Sequence, residues 1–276
     1  MCLCRPPFPL ELIEYTIDYL HDSPSTLRTC AHVSRAWVAP SRFHLFYRCE
    51  TTQTEISELL EFLQGSPHIA RYIREFHFST GYPPILYPDF EQVDAALPHL
   101  PGMLTQLRKL VLTGIPFTDL VPDTRAAFHA LFALPCLVDV HVRDLRVTKL
   151  DHFTNLLRSP LKRLVVTELI PNQEDICAID EEIKAVELRE RSPCHLDFLL
   201  SDSPVFMHWL LGAQTVIDIS TIRTLGAPCG PKHMEGLMAR LIRRLGPSLE
   251  DLHIQPPNIE DWGALFLIYV VIIGFD

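Results

Sequence analysis

Glycine is scarce in this chain of 276 residues: it occurs 11 times, whereas proline occurs 23 times. At average usage of about 7% glycine and about 5% proline, glycine would be the commoner of the two. Glycine-rich loops that hold phosphate groups, and β-sandwiches built on tight glycine turns, are therefore disfavoured.

Basic residues are also in short supply. The chain has 24 Lys and Arg residues against 34 Asp and Glu residues, which gives a formal net charge of −10. A protein that binds nucleic acid regardless of sequence draws its affinity from neutralising phosphates, so no nucleic-acid partner is expected. The hydrophobic content of 47% excludes an intrinsically disordered chain and is enough for a sizeable core.

Cysteine spacing typical of zinc or redox motifs is missing. The 8 cysteines are scattered and none forms a C-x-x-C pair, so no metal or other cofactor is expected. Residues 1–7 lack the apolar run of a secretory signal. These features favour reduced thiols in a cytoplasmic or nuclear protein.

The apolar run at residues 264–275 is shorter than the roughly 20 residues that a helix needs to span a bilayer. We expect a buried strand or helix there, and no membrane partner. A truncated or alternatively spliced end and a membrane tail are the alternatives for this run.

Motifs that carry catalytic chemistry are missing too. Cys194 and His195 are adjacent, but catalytic partners normally come from separate elements. Residues 226–232 superficially resemble a phosphate-binding loop, yet they lack the Gly-Lys-Ser/Thr ending and contain two prolines. No H-E-x-x-H or G-x-S-x-G motif occurs. We expect a protein that is not an enzyme, and a hydrolase on an α/β sheet is kept only as a third hypothesis.

The first fifty residues have the periodicity of three short amphipathic helices. Residues 8–20 predict the first helix and residues 25–37 the second. Pro40 is expected to end the second helix, and residues 41–46 begin a third. Such a unit is too small to be stable alone and needs a partner, which is either the rest of the chain or another protein.

Two motifs within these helices resemble the F-box, whose pattern is Leu-Pro-x-Glu-Leu/Ile followed by Val-Cys/Ser-Arg/Lys-x-Trp. The matching residues are Phe8-Pro9-x-Glu11-Leu12-Ile13, Val33-Ser34-Arg35-x-Trp37 and Phe43-x-Leu45-Phe46. Phe8 replaces the usual leucine. Residues 18–21 and 66–70 make the sequence similar to the expanded fungal F-box families. An ordinary three-helix cap with a core tryptophan is the alternative.

The resemblance implies a binding module that docks onto the adaptor subunit of Skp–cullin–F-box ubiquitin ligases, and through it onto the cullin. Carried over residue by residue, the candidate adaptor-binding positions are Pro9, Leu12, Ile13, Ile17, Leu20, Leu27, Cys30, Val33 and Trp37. Some of these must instead hold the three helices together, and the sequence does not divide them.

A strand motif, L-x-x-L-x-L, recurs after residue 50. It starts at Ile73, Leu107, Leu137, Leu161 and Leu249, with weaker copies near residues 196–200 and 216–219. Amphipathic helical segments lie between the copies, at residues 124–133, 152–157 and 234–245, and a helix is also expected at residues 55–63. Strand plus helix at this period is typical of a leucine-rich-repeat solenoid. The unequal spacing keeps an open parallel α/β domain as the alternative.

We therefore predict an α/β protein with an F-box at residues 6–50 and an irregular, degenerate leucine-rich-repeat domain at residues 51–276. The expected function is substrate recognition for a Skp–cullin–F-box ligase, with an unknown protein substrate. The alternative function is an interaction scaffold outside any ligase, whose N-terminal helices only cap the solenoid. The acidic stretch at residues 171–190 predicts a solvated helix face, or an acidic surface that recognises basic substrate segments.

Overall fold

Helices and parallel strands make up the part of the chain that the structure, a computed structural model, describes. The described residues are 9–81, 90–117, 119–147, 160–171, 194–211, 217–228, 232–255 and 268–271. Three consecutive helices come first, and a large sheet with interleaved helices follows. The predicted α/β class is therefore confirmed. Within these ranges we find no helix with the length and apolar character that a membrane crossing needs.

The first three helices pack around a small core of their own. They span Leu10–Tyr19 (α1), Pro24–Val33 (α2) and Arg35–Phe46 (α3). The core is separate from the main core of the chain and consists of Ile13, Ile17, Leu27 and Cys30, with Leu20, Ala36, Trp37 and Leu45 partly buried around them. Four fully buried side chains are a thin basis for stability. The end of α3 supplies further support, because Phe46 packs against the main core.

The break between the second and third helices lies at Ser34, and the prediction that Pro40 ends the second helix is wrong. Ser34 has extended backbone, with φ −163° and ψ 166°, so α2 ends before it and α3 begins after it. Pro40 lies inside α3. Proline has no N–H, so α3 lacks one backbone hydrogen bond at Pro40. Packing of α3 on the three-helix core and on the main core stabilises the helix despite this loss. Trp37 accordingly belongs to the third helix.

Nine strands form one sheet, and their order across the sheet is their order along the chain. With two further strands that pair separately, the strands are Arg48–Thr52 (β1), Glu75–Ser79 (β2), Lys109–Thr113 (β3), Asp139–Val147 (β4), Arg163–Pro171 (β5), Cys194–His195 (β6), Phe198–Ser201 (β7), Ile217–Asp218 (β8), Thr224–Pro228 (β9), Asp251–Gln255 (β10) and Ile268–Val271 (β11). In the large sheet all neighbours from β1 to β10 are parallel, and β11 is antiparallel to β10. β6 and β8 form the separate pair. The order of the described strands never reverses, unlike that of a doubly wound sheet.

One backbone arrangement recurs at the start of each parallel strand. The carbonyl of Tyr47, just before β1, accepts hydrogen bonds from the N–H groups of Arg74 and Glu75, both at 2.9 Å. The same pair of bonds recurs between successive strands at 2.8–3.0 Å, with the carbonyls of Arg74, Arg108, Val138, Lys162, Asp197 and Arg223 as acceptors. The described units therefore repeat one local geometry, although their lengths differ.

The L-x-x-L-x-L motif supplies the strands and their buried face. In the copies that start at Ile73, Leu107, Leu137 and Leu161, the first, fourth and sixth residues are at most 2% exposed. The copy at 249 is β10 and the weaker copy near 196 is β7, as predicted. The weaker copy near 216 is wrong as a strand of the large sheet, because Ile217–Asp218 pairs with β6.

Helices connect the strands and pack into the same main core as the buried face of the sheet. They span Ile56–Gly65 (α4), Pro67–Ala70 (α5), Glu91–Ala96 (α6), Leu100–Met103 (α7), Pro122–Phe132 (α8), Pro204–Leu211 (α9) and Lys232–Leu245 (α10). The helices predicted at 55–63, 124–133 and 234–245 are thus confirmed as α4, α8 and α10. The predicted helix at 152–157, the acidic stretch from 172 to 190, and the apolar run except β11 lie outside the described residues.

Three successive units share a left-handed residue directly after the central part of the strand. Gly114 has φ 74°, Asp144 has φ 51° and Glu168 has φ 53°. The residues before them, Thr113, Arg143 and Thr167, are register partners in β3, β4 and β5. The three units therefore turn in the same way at the same point. A left-handed backbone costs glycine, asparagine and aspartate less free energy than it costs other residues.

Candidate functional site

Two apolar stripes run along α1 on nearly opposite sides of the helix. Ile13 and Ile17 point into the three-helix core and are 3% and 0% exposed. Leu12, Tyr15 and Tyr19 follow the spacing i, i+3, i+7, and their exposed fractions are 54%, 72% and 84%. A row of large apolar side chains in water is a feature of protein-binding surfaces. We call these three residues the α1 stripe.

The structure divides the nine residues that the F-box resemblance nominates. Ile13, Ile17, Leu27 and Cys30 are buried in the three-helix core, and Leu20 and Trp37 are partly buried against it. Pro9, Leu12 and Val33 are exposed. This last group offers most of the surface that a partner can touch without rearrangement of the helices, and Leu20 and Trp37 offer a smaller part. Leu10, Tyr15 and Tyr19 are exposed as well and were not nominated, although the spacing of Tyr15 and Tyr19 from Leu12 was visible in the sequence.

Polar contacts fix the orientation of α1 on α3. Nε2 of His44 lies 2.7 Å from Oδ1 of Asp18, and the side chain of His44 is 15% exposed. At the other side of α3, Arg42 Nη1 lies 3.2 Å from His68 Nε2 on α5. Because His44 and Arg42 sit on one helix, these contacts connect α1 to the main domain through α3.

The junction between the three helices and the sheet is apolar. The ring of Phe46 stacks on that of Phe62 from α4, with centroids 5.9 Å apart. Three residues further on, burial raises the pKa of the Cys49 thiol to about 11, with Glu50 adding to the rise. Cys49 is therefore protonated at neutral pH and serves as a packing group rather than a nucleophile.

The second candidate surface is the face of the sheet opposite the main core, here called the open face. Its first row carries one side chain from each of β1 to β5, and the charges alternate: Arg48, Glu75, Lys109, Asp139 and Arg163. Opposite charges on directly opposed residues stabilise strand pairing. The alternating charges of this row therefore stabilise the parallel register of β1 to β5.

The second row of the open face combines histidines with apolar residues. It runs through Glu50, His77, Val111, His141 and Val165. Nε2 of His141 lies 3.0 Å from the carboxylate of Asp139, and that of His77 lies 3.5 Å from the carboxylate of Glu75.

Burial lowers the pKa of His77 below its usual value. Arg48 and Lys109 lower it further, while Glu50 and Glu75 oppose the shift. His77 is therefore neutral at pH 7.

No known protein-family model matches this sequence, and neither does any curated protein sequence. Within the described ranges, no group of three or more His, Cys, Asp or Glu side chains is placed to hold a metal ion. The α1 stripe and the open face are consequently the candidate site, on the strength of this chain's own residues.

Proposed function

We propose that this protein is an F-box protein and acts as the substrate-binding subunit of a Skp–cullin–F-box ubiquitin ligase. In this proposal the three helices bind the adaptor subunit, and through it the cullin, while the sheet domain binds a protein substrate. The observation that carries the proposal is the α1 stripe, because it lies on the helix whose sequence resembles the first F-box motif. Its three side chains expose more than half of their surface.

The chemistry of the α1 stripe suits an adaptor that offers an apolar groove. An amphipathic helix binds such a groove through residues at i, i+3 and i+7, which are the positions of Leu12, Tyr15 and Tyr19. Tyrosine combines a large apolar area with few rotatable bonds, so it is enriched among the residues that dominate interfaces. In this proposal Ile13, Ile17, Leu27 and Cys30 position the stripe from inside and do not touch the adaptor.

A leucine-rich-repeat solenoid is the form we propose for the sheet domain. Two observations support it: the strands follow chain order, and the paired hydrogen bonds recur at each strand start. Both are expected when each repeat contacts only its neighbours. The unequal lengths of the units make the repeats degenerate.

The connection between the two parts suits a receptor that holds its substrate in place. Only Tyr47 separates the end of α3 from the start of β1. A substrate on the open face would thus be held at a set distance from the adaptor. Such positioning raises the effective concentration of the reacting groups without any catalytic residue in this chain.

One observation favours the scaffold outside any ligase. Phe46 of α3 packs into the main core and stacks on Phe62, as the last helix of a simple cap would. A cap, however, has no need of exposed apolar side chains such as Tyr15 and Tyr19 on its outer helix.

Co-purification with the adaptor subunit separates the two functions. The wild-type chain should retain the adaptor, and Leu12→Asp should not, because the substitution puts a charge at the N-terminal end of the α1 stripe. Arg28→Glu, on the exposed side of α2, is the matched control and should retain the adaptor. If the wild-type chain fails to retain the adaptor, the ligase function is excluded and the scaffold is favoured.

A further inference from the structure

A cluster of cations occupies the N-terminal ends of strands β2, β3 and β5, although the chain as a whole carries a net charge of −10. We call it the basic edge; it consists of Arg71, Arg74, Arg108, Lys109, Lys162 and Arg163. These residues belong to the segments 66–75, 104–109 and 160–163, which lead into β2, β3 and β5 and contain Glu75 as their single acidic residue. The segment that leads into β4 has no cation, and Asp139 is the first residue of that strand. Because parallel strands all start at the same edge of a sheet, the six side chains share one edge of the molecule.

Nearby carboxylates leave most of these cations uncompensated. Glu75 contacts His77, and Asp139 contacts His141 and, at 3.9 Å, Arg163. Arg163 also lies over the ring of Phe198, 4.0 Å from its centroid. In the ranges that the structure describes, the other five cations have no carboxylate within 4.0 Å, although Glu75 and Asp139 flank Lys109 in the strand register. Arg108 and Lys162 are exposed to solvent.

Backbone contacts place part of the cluster. One guanidinium nitrogen of Arg74 donates a hydrogen bond of 2.6 Å to the carbonyl of Arg71 and reaches the carbonyl of Gln106 at 3.5 Å. Arg74 therefore bridges the starts of β2 and β3. Beyond β5 the corresponding places carry mixed charge, with Asp197 before β7 and Glu250 and Asp251 before and in β10. Arg223, before β9, lies 3.4 Å from the carboxylate of Glu250.

The spacing of the cations distinguishes between anionic partners. Neighbouring strands are about 4.8 Å apart, so the charges from β2 to β5 extend over roughly 14 Å. They lie at the starts of β2, β3 and β5, with Val138 and Asp139 of β4 between the last two, and do not converge on one point as donors around a single phosphate group do. A row of this kind matches an extended segment that carries several carboxylates.

We infer that the basic edge docks an acidic, Asp- and Glu-rich segment of a partner protein. That this partner is the substrate rests on the proposed function; the docking itself does not. The long-range attraction of the edge also sets how fast the segment binds, and added salt weakens both its rate and its affinity.

Fluorescence anisotropy with a labelled oligo-glutamate peptide and the purified full chain tests this inference without the adaptor. The wild-type chain should bind, and the double variant Arg108→Glu/Lys162→Glu should bind about tenfold more weakly, since both side chains are reversed in charge. The control Arg28→Glu/Arg240→Glu changes the net charge by the same amount on α2 and α10, and its affinity should match that of the wild type.

Equal affinities of the two double variants would overturn the inference. So would tighter binding of the wild-type chain to a peptide with a single phosphoserine, to an oligonucleotide or to phosphatidylserine vesicles. If thermal unfolding shows that the edge variant is destabilised, Arg108→Gln/Lys162→Gln replaces it, and an affinity equal to the wild type is then the contradicting result. Failure of adaptor binding changes none of these outcomes.

Discussion

The backbone carbonyl of Tyr47 accepts a hydrogen bond of 2.9 Å from the N–H of Arg74, which joins the residue after the third helix to the residue before the second strand. The same bond links each later unit of the sheet to the next. The three helices and the sheet are therefore joined by the repeating architecture itself and not by a linker. A partner on α1 and a partner on the sheet would be held in one fixed relation.

Ile17 lies in the three-helix core and Leu12 lies on the exposed side of α1, so we predict that their substitution by alanine has very different effects on stability. Ile17→Ala removes a side chain that is 0% exposed and should lower the free energy of unfolding by about 2–4 kcal/mol, because it leaves a cavity in a small core. Leu12→Ala, at a side chain that is 54% exposed, should change it by less than about 0.5 kcal/mol. Urea denaturation followed by circular dichroism measures both. Similar losses for the two variants would show that the stripe is structural.

The sequence predicted that α1 is a helix, but not which apolar residues face the core. Its apolar positions occupy both sides of the helix, so the F-box resemblance nominated Leu12 and Ile13 together and periodicity did not separate them. The choice depends on where α3 packs, and the prediction that the third helix begins after Pro40 is wrong, since α3 begins at Arg35. Serine at position 34 allows the extended backbone that separates α2 from α3, but a single serine does not by itself identify a helix boundary.

Gly114 is predicted to be irreplaceable by alanine. It has φ 74°, and an added Cβ would collide with the hydroxyl of Thr80, which donates a hydrogen bond of 2.8 Å to the Gly114 carbonyl. Gly114→Ala should therefore cost at least about 1–2 kcal/mol of unfolding free energy. The control is Gly102→Ala in α7, where nothing lies within 4 Å of the added atom, and it should be neutral or stabilising by up to about 1 kcal/mol. Thermal unfolding of the pair gives the comparison, and equal melting temperatures would contradict it.

We predict that Asp202 makes the free energy of unfolding depend on pH. Burial raises the pKa of this carboxyl above its usual value, and the N–H of Glu168, which donates to it at 2.7 Å, only partly opposes the rise. Above the raised pKa the folded state bears the cost of a half-buried charge, and that cost disappears as pH falls through it toward the unfolded value of about 4.

Asp202→Asn should therefore be more stable than the wild type at pH 7, because the amide oxygen can still accept the Glu168 bond. The difference should shrink as the pH is lowered to about 4. Glu61→Gln, at an exposed residue of α4 with no ion pair among the described residues, is the control and should show no such trend. Denaturation midpoints measured across this pH range decide the matter, and a difference that grows on acidification contradicts it.

The repeated strands were the most predictable part of the fold, because alternation of buried and half-exposed residues is a local signal. The unit that begins at Ile222 was not predicted from the sequence. Its strand has Gly226 and Ala227 where the other copies have larger residues, and it overlaps the segment 226–232 that superficially resembles a phosphate-binding loop. The left-handed backbone of Glu168 could not be predicted from its residue type, because glutamate rarely adopts that conformation. It follows from pairing with the neighbouring unit, which only the folded chain contains.

Calorimetric titration of the adaptor subunit into the double variant Tyr15→Ser/Tyr19→Ser tests most directly whether the α1 stripe binds the adaptor. Both tyrosines are exposed, so the variant should unfold at the same temperature as the wild type. Its affinity for the adaptor should be at least about tenfold weaker, whereas Val121→Ser, at an exposed residue beside α8, should leave the affinity unchanged. An unchanged affinity of the folded double variant would contradict the assignment of this surface.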